Sequence, residues 1–209
     1  MAFSTFIVQD FVSEIRKFGV ARPTRFEVMI DLPYSLRTGG GKVEVGGISK
    51  RLSLRCENAV LPQLNINVAQ QRIYGPNYIY PISSDYGGDS ITLSFVMDRN
   101  MGLKTFFDAW LHSIVDPNTF NVSYNINSSG YREYCTQIKI FQLDERDSLT
   151  YAVELVDAFP RNIGIMNLDS AALNTPHKLN VTFAYRKWKD ITGEKRIKAL
   201  EEQREEEGI

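Results

Sequence analysis

The sequence predicts a mainly β protein: an antiparallel β-sandwich or partly closed barrel with one packed amphipathic helix, and short helices at the N- and C-terminal ends. Three observations predict it. Apolar side chains alternate with a period of two in several separate segments, turn residues punctuate those segments, and one stretch switches to the helical period. At 209 residues the chain can bury a sizeable core without disulfide staples and fits a single domain. Residues 1–190 are read as that domain and residues 191–209 as a charged helical tail, with no internal repeat to mark a further boundary.

The elements follow in chain order. Val8, Phe11, Val12, Ile15 and Phe18 fall at helical spacing, with Gly19 where a C-terminal cap belongs and Pro23 soon after, so a short amphipathic helix is expected first. From Arg25 the period becomes two: Phe26, Val28, Ile30 and Leu32 mark a half-buried strand that Pro33 ends. Residues 33–50 hold five glycines and no apolar face, and read as an exposed loop. Leu52, Leu54 and Cys56 alternate with polar residues and predict an inward-facing strand that stops near Pro62. Residues 64–82 read as a projecting hairpin that turns at Gly75. Ile91, Leu93, Phe95 and Met97 mark another strand. Leu103, Phe106, Phe107, Trp110, Leu111 and Ile114 then form a single helical stripe, expected to be core. Strands are expected over 120–124, 134–143, 150–156 and 178–188, the last with Leu179, Val181, Phe183 and Tyr185 inward. In the tail, Glu194 and Lys198 lie one helical turn apart, with Ile197 and Leu200 as its apolar anchors.

Composition restricts the function. Lys plus Arg number 24 against 25 Asp plus Glu, a balance that argues against tight nucleic-acid binding by counterion release. No apolar run approaches the roughly 20 residues that span a bilayer, and no leader pattern is read at the start, so no membrane partner is expected. Cys56 and Cys135 are too few for a disulfide framework. Cys56 is expected to be a buried structural thiol, whereas an exposed free thiol stays open for Cys135.

No catalytic constellation emerges, and the chain is read as a non-enzyme. Gly39-Gly40-Gly41-Lys42 lacks the glycine spacing of a phosphate loop, and Val43 stands where such a loop needs Ser or Thr. His112 and His177 are the only histidines, and neither pairs with a cysteine at zinc-binding spacing, so neither metal nor cofactor is expected. Asp144, Glu145 and Asp147 flank Arg146 and Ser148 between two strands, as in a solvated turn. Tyr74, Tyr78, Tyr80 and Tyr86 have only Arg72 as a basic neighbour, so they fit a protein contact better than base stacking.

Three strings carry a resemblance. Ala21-Arg22-Pro23 leads into Phe26-Glu27-Val28; Cys56 is followed by Ala59-Val60-Leu61-Pro62; and Phe159-Pro160-Arg161-Asn162-Ile163-Gly164 precedes a strand ending at Trp188. In this order, over roughly residues 20–190, they resemble the tail tube proteins of T4-like contractile-tailed bacteriophages. In that family Pro160, Asn162 and Gly164 correspond to a corner before the closing aromatic strand. The resemblance implies a virion structural subunit, assembled in the host cytoplasm into rings of six that stack into a hollow tube through which the genome is ejected. It implies as partners further copies of the chain, the tail sheath, a baseplate tube initiator and a tail terminator, with DNA passing through the lumen without specific binding. A tube initiator or terminator, or the inner tube of a related injection machine, is the alternative within this class; a monomeric β-sandwich binding module is the alternative outside it. Gln70, Arg72, Tyr74, Asn77, Tyr78 and Tyr80 on the hairpin are the candidate contact with the adjacent ring, and the N-terminal helix is a second candidate boundary element.

Overall fold

A computed structural model describes residues 8–38, 47–72, 74–86, 90–126, 133–171 and 175–193. It opens with helix α1 (Val8–Phe18), closed by Gly19 in the left-handed conformation (φ 71°), whose N–H donates to Ile15 O at 2.8 Å. Strand β1 (Phe26–Ile30) buries Val28 and Ile30 and pairs antiparallel with β6 (Thr136–Leu143), from Phe26 opposite Gln142 to Ile30 opposite Ile138.

The stretch expected to be an exposed loop over 33–50 instead carries two helical pieces: α2 (Tyr34–Thr38) and the first residues of α3 (Ile48–Arg55). The region between them, including the Gly39–Lys42 string, lies outside the described residues. A second correction follows from α3, because Leu52 and Leu54 belong to a helix and not to an alternating strand. Ile48 and Leu52, four residues apart, share the buried face, whereas Leu54 points away and is 76% exposed. Ser49 Oγ donates to Ile30 O at 2.7 Å and holds α3 against β1. Only Cys56 keeps the extended conformation, at the start of the short strand β2 (Cys56–Asn58) opposite Phe95.

Strands β3 (Asn65–Gln71) and β4 (Tyr78–Asp85) form a separate two-stranded sheet. The remaining strands are β5 (Ser90–Val96), β7 (Leu149–Ile163), β8 (Lys178–Ala184) and β9 (Lys187–Asp190). Together with β1, β2 and β6 they make one sheet in the order β1-β6-β7-β8-β5-β2, with β9 also paired to β7. Strand β7 is long enough to serve two sheets. Its first half lies between β6 and β9, and its second half pairs with β8. The changeover falls at Asp157, which has φ 60° and whose carboxylate takes Arg186 Nε at 2.8 Å. Arg186 interrupts the expected 178–188 strand, which is therefore split into β8 and β9. The structure is a curled, antiparallel, nearly closed barrel, open between β1 and β2 where α3 packs.

Two further expectations are corrected. Residues 120–124 form no strand; a single bridge joins Val122 to Val115, and the exposed Phe120 has φ 58°. Residues 160–163 form no corner: β7 runs through them to Ile163, with Pro160 opposite Phe183 and Asn162 opposite Thr182, and Pro160 is accommodated at a bulge. Gly164 ends this run because its N–H reaches Asn180 O at 2.7 Å, and a Cβ there would lie 2.9 Å from the same oxygen.

Helix α4 (Gly102–Ile114) fills the interior. Leu103, Phe106, Phe107, Trp110 and Ile114 are buried and Leu111 is half-buried. Phe95, Phe106, Phe107, Trp110 and Phe183 form a continuous aromatic cluster with ring centroids 5.3–6.4 Å apart. Trp110 Nε1 donates to Tyr134 O at 2.8 Å, so the indole N–H is satisfied inside the core.

Candidate assembly interface

The β3–β4 hairpin projects from strands that belong to the barrel, since β2 leads into β3 and β4 leads into β5. Its two roots are tied to the end of the barrel. Tyr185 Oη donates to Tyr86 O at 2.9 Å, Tyr86 and Trp188 meet edge to face at 6.5 Å, and Trp188 Nε1 donates to Gln63 O at 3.2 Å. Trp188, the last residue of the third sequence string, thus anchors the hairpin to β9.

Beyond that anchor no described residue buries the hairpin, whose side chains are almost all exposed. The register sorts its side chains into two faces. Ile66 and Val68, with Ile79 and Pro81 across from β3, make an aliphatic face; Ile66, Val68 and Ile79 are 63, 53 and 57% exposed. The other face carries Asn65, Asn67, Ala69 and Gln71 opposite Asp85, Ser83, Tyr80 and Tyr78. On it, Tyr78 and Tyr80 stack at 6.2 Å, and Asn67 Nδ2 donates to Ser83 Oγ at 3.2 Å.

The six residues nominated for a ring contact therefore do not form one patch. Tyr78 and Tyr80 are adjacent, Gln70 sits on the opposite, aliphatic face across from Ile79, and Arg72, Tyr74 and Asn77 lie at the tip around Gly75 (φ 75°). Tyr74 is 93% exposed. The aliphatic face was not singled out in advance. Its signal was the alternation of Ile66 and Val68, which by itself does not distinguish a core strand from one left uncovered.

A second apolar surface lies on α1, where Val8, Phe11, Val12 and Ile15 are all exposed. The first sequence string has a structural role at the entry to β1. Gln142 Nε2 donates to Arg22 O at 2.7 Å, and the Arg22 guanidinium meets Glu145 on the β6–β7 turn at 2.9 Å. Leu61 is exposed and Pro62 half-buried in the segment leading to the hairpin.

Asp144, Glu145 and Asp147 sit on an exposed turn closed by Asp147 N–H to Asp144 O at 3.0 Å. Cys135 is buried, which closes the option of an exposed thiol there. Cys56 is half-buried, and desolvation pushes its thiol up to about 12, with a backbone hydrogen bond at Asn58 acting the other way. Among the described residues no three His, Cys, Asp or Glu side chains come together as a metal site, and no helix is long and apolar enough to cross a membrane.

Comparison with solved structures finds this fold in chains of contractile injection assemblies. The sheath-tube complex of the PVC extracellular contractile injection system contains a chain that superposes with a TM-score of 0.54 at 16% identity, covering 86% of this chain and 97% of that one. A chain of the anti-feeding prophage baseplate gives 0.54 at 15% identity, covering 82% and 95%. A chain of the anti-feeding prophage tube terminating cap gives 0.54 at 16% identity, covering 83% and 92%. No curated protein matches the sequence. These likenesses show the fold, and the family pattern of phage tail tube proteins matches residues 21–190, which takes in all three sequence strings and every strand of the barrel: the chain belongs to the phage tail tube protein family, as a structural subunit of the tail tube.

Proposed function

We propose that this chain closes into rings of six, that the rings stack into a hollow tube, and that the β3–β4 hairpin makes the contact between rings. The observation that carries the reading is a hairpin anchored at its roots and, among the described residues, left open on both faces. A lone two-stranded hairpin is marginally stable in water, and this one exposes at least three aliphatic side chains along one face. Completing the burial of each would contribute roughly 1–2 kcal/mol before ordering costs, so contact with a neighbour is the state that stabilises it. Tyr78 and Tyr80 supply contact area on the other face at small entropic cost, and Arg72, Tyr74 and Asn77 supply the tip. A ring requires a contact that closes by rotation, and stacking requires a second, open-ended one.

In this reading the sheath surrounds the tube, a baseplate initiator and a tail terminator cap its ends, and the genome passes through its lumen. The subunit is made in the host cytoplasm and works in the virion without catalysis. The PVC sheath-tube complex and the anti-feeding prophage baseplate and cap support such neighbours through the shared fold.

Negative-stain electron microscopy of the purified chain over a concentration series tests assembly, because open-ended stacking makes polymer length depend on concentration. Rings and hollow tubes with sixfold end views are expected. Monomers at every concentration, even with a capping partner added, would refute the proposal.

A further inference from the structure

The segment that follows α4 is built inside out. Its backbone runs back along the end of the helix: Ser123 N–H donates to Ile114 O at 2.8 Å, Asp116 N–H donates to Asn121 O at 3.1 Å, and Val122 bridges Val115. The residues turned toward the body of the protein are polar, since Ser123 Oγ donates to Ser113 O at 2.8 Å and Asn125 is half-buried. The alternate residues are apolar and face solvent: Phe120, Val122, Tyr124 and Ile126 are 79, 66, 89 and 62% exposed. From Pro117 to Tyr131 the sequence holds no charged residue. An apolar side in water above a polar side against the protein is the reverse of what stabilises a free subunit. An uncharged, exposed strip of this kind marks a surface that another protein covers.

Helix α1 shows the matching deficit. Its 11 residues fall short of the roughly 12–15 that an isolated helix needs in water, so packing of an apolar face has to hold it. Yet every described side chain of α1 is exposed, with Val8, Phe11, Val12 and Ile15 on one stripe. That stripe is about 10 Å long from Val8 to Ile15. Val122 to Ile126 spans about 13 Å of extended chain, so one helix face covers one strip.

We propose that α1 of one subunit lies on the 120–126 strip of the next subunit around the ring. This pairing rests on the tube reading above. A contact that closes by rotation is heterologous: each subunit presents two different patches, in equal number, one fitting the other. The hairpin serves stacking in that reading, which leaves α1 and the strip as a helix and its seat in one-to-one ratio. An amphipathic helix laid on an apolar seat is a recurring mode of recognition, read through anchors at the spacing that Val8, Phe11, Val12 and Ile15 show. The strip sets no charge against Asp10, Glu14, Arg16 or Lys17, so these side chains stay in water at the edge of the contact. Docking covers both surfaces at once, and it supplies the packing that α1 lacks in the free subunit.

Covalent capture tests the pairing. The full-length double variant Val12→Cys/Val122→Cys, with Val12→Cys/Tyr124→Cys as a second should the first fail to fold, is assembled and treated with a short bis-maleimide. Products are sized by denaturing electrophoresis above the wild-type background. Because the contact links each subunit to the next, assembled protein should give a ladder that continues past dimer and stops at the ring number seen in end views. Unassembled protein and the single-cysteine variants should give no ladder. A ladder ending at dimer, one running past the ring number, or no covalent multimers would overturn the pairing. Val12→Asp and Tyr124→Asp should each raise the concentration needed for assembly about tenfold or more, with Tm within about 2 °C of wild type. Normal assembly of either would show that α1 or the strip faces another partner, such as the sheath, and would overturn the pairing. If wild-type protein forms no rings, the assembly reading and this pairing fall together, whereas wild-type rings without the ladder overturn the pairing alone.

Discussion

Replacing Gly164 by Ala should destabilise the fold through one identifiable contact. The added Cβ would sit 2.9 Å from Asn180 O and 3.2 Å from Asn180 Cβ. Both atoms belong to β8, and the closer is backbone, so no rotamer change relieves the overlap; the end of β7 and β8 must separate. Overpacking of this kind costs about 1–3 kcal/mol. Separation also stretches the 2.7 Å bond from Gly164 N–H to Asn180 O, worth about 1 kcal/mol net. Opposing both, alanine narrows the unfolded ensemble by about 0.4–1 kcal/mol. The net loss is about 1–3 kcal/mol, equivalent to a fall in Tm of about 2–12 °C for a chain of this size. Gly193 is the matched control, since a Cβ there meets nothing within 4 Å. Thermal unfolding followed by circular dichroism, on unassembled protein, compares the two variants. If G164A melts no lower than G193A, the close approach of β7 and β8 is not what requires glycine at this position.

Other predictions can be checked on the same preparation. Leu52→Ala, at a fully buried position, should cost about 2–5 kcal/mol, and Leu54→Ala, at a largely exposed one, less than about 0.5 kcal/mol; equal costs in urea melts would restore the strand reading of 52–56. Trp110→Phe should cost about 1–3 kcal/mol, because the buried Tyr134 carbonyl loses its donor, and near-native stability would show that another group replaces it. Tyr78→Asp, and charge reversal at Arg72, should leave Tm within about 2 °C of wild type while abolishing tubes, since Tyr78 is 70% exposed in the subunit; normal tubes from both would remove the hairpin from the ring contact. The raised Cys56 thiol stays neutral in the folded chain at pH values where the unfolded thiol ionises. Its contribution is therefore fully present below about pH 9 and lost as pH rises from there toward about 12, and native Cys56 should resist iodoacetamide at pH 8; rapid alkylation of the folded protein would contradict its burial.

Much of the fold was legible because it depends on local period and local punctuation. Ile91, Leu93 and Phe95 alternate because one face of β5 meets the core, and the α4 stripe repeats at helical spacing because one side of a helix does. Gly19 and Gly75 were readable as a cap and a turn because each takes a positive φ that glycine adopts without steric cost. The corrections share a different cause. Leu52, Leu54 and Cys56 alternate on paper, yet Ile48 and Leu52 are also four residues apart, and the opening between β1 and β2 accommodates the helix. Pro160 looked like a corner because proline lacks a ladder N–H, but a bulge absorbs that loss and β7 continues to Ile163.

The candidate surfaces divide in the same way. The sequence by itself determined a β-rich chain with one core helix, an aromatic hairpin, and strings typical of a tube protein, since these reside in residues close together along the chain. Only the tertiary structure decided that the hairpin stands uncovered with an aliphatic and a tyrosine face. It alone decided that Asn58, Ser94, Asn180, Thr92, Thr182 and Asn162 share one face. Those residues come from four strands far apart in sequence, and a strand's alternation says which side chains share a face but not which strand lies beside it or what, if anything, covers that face.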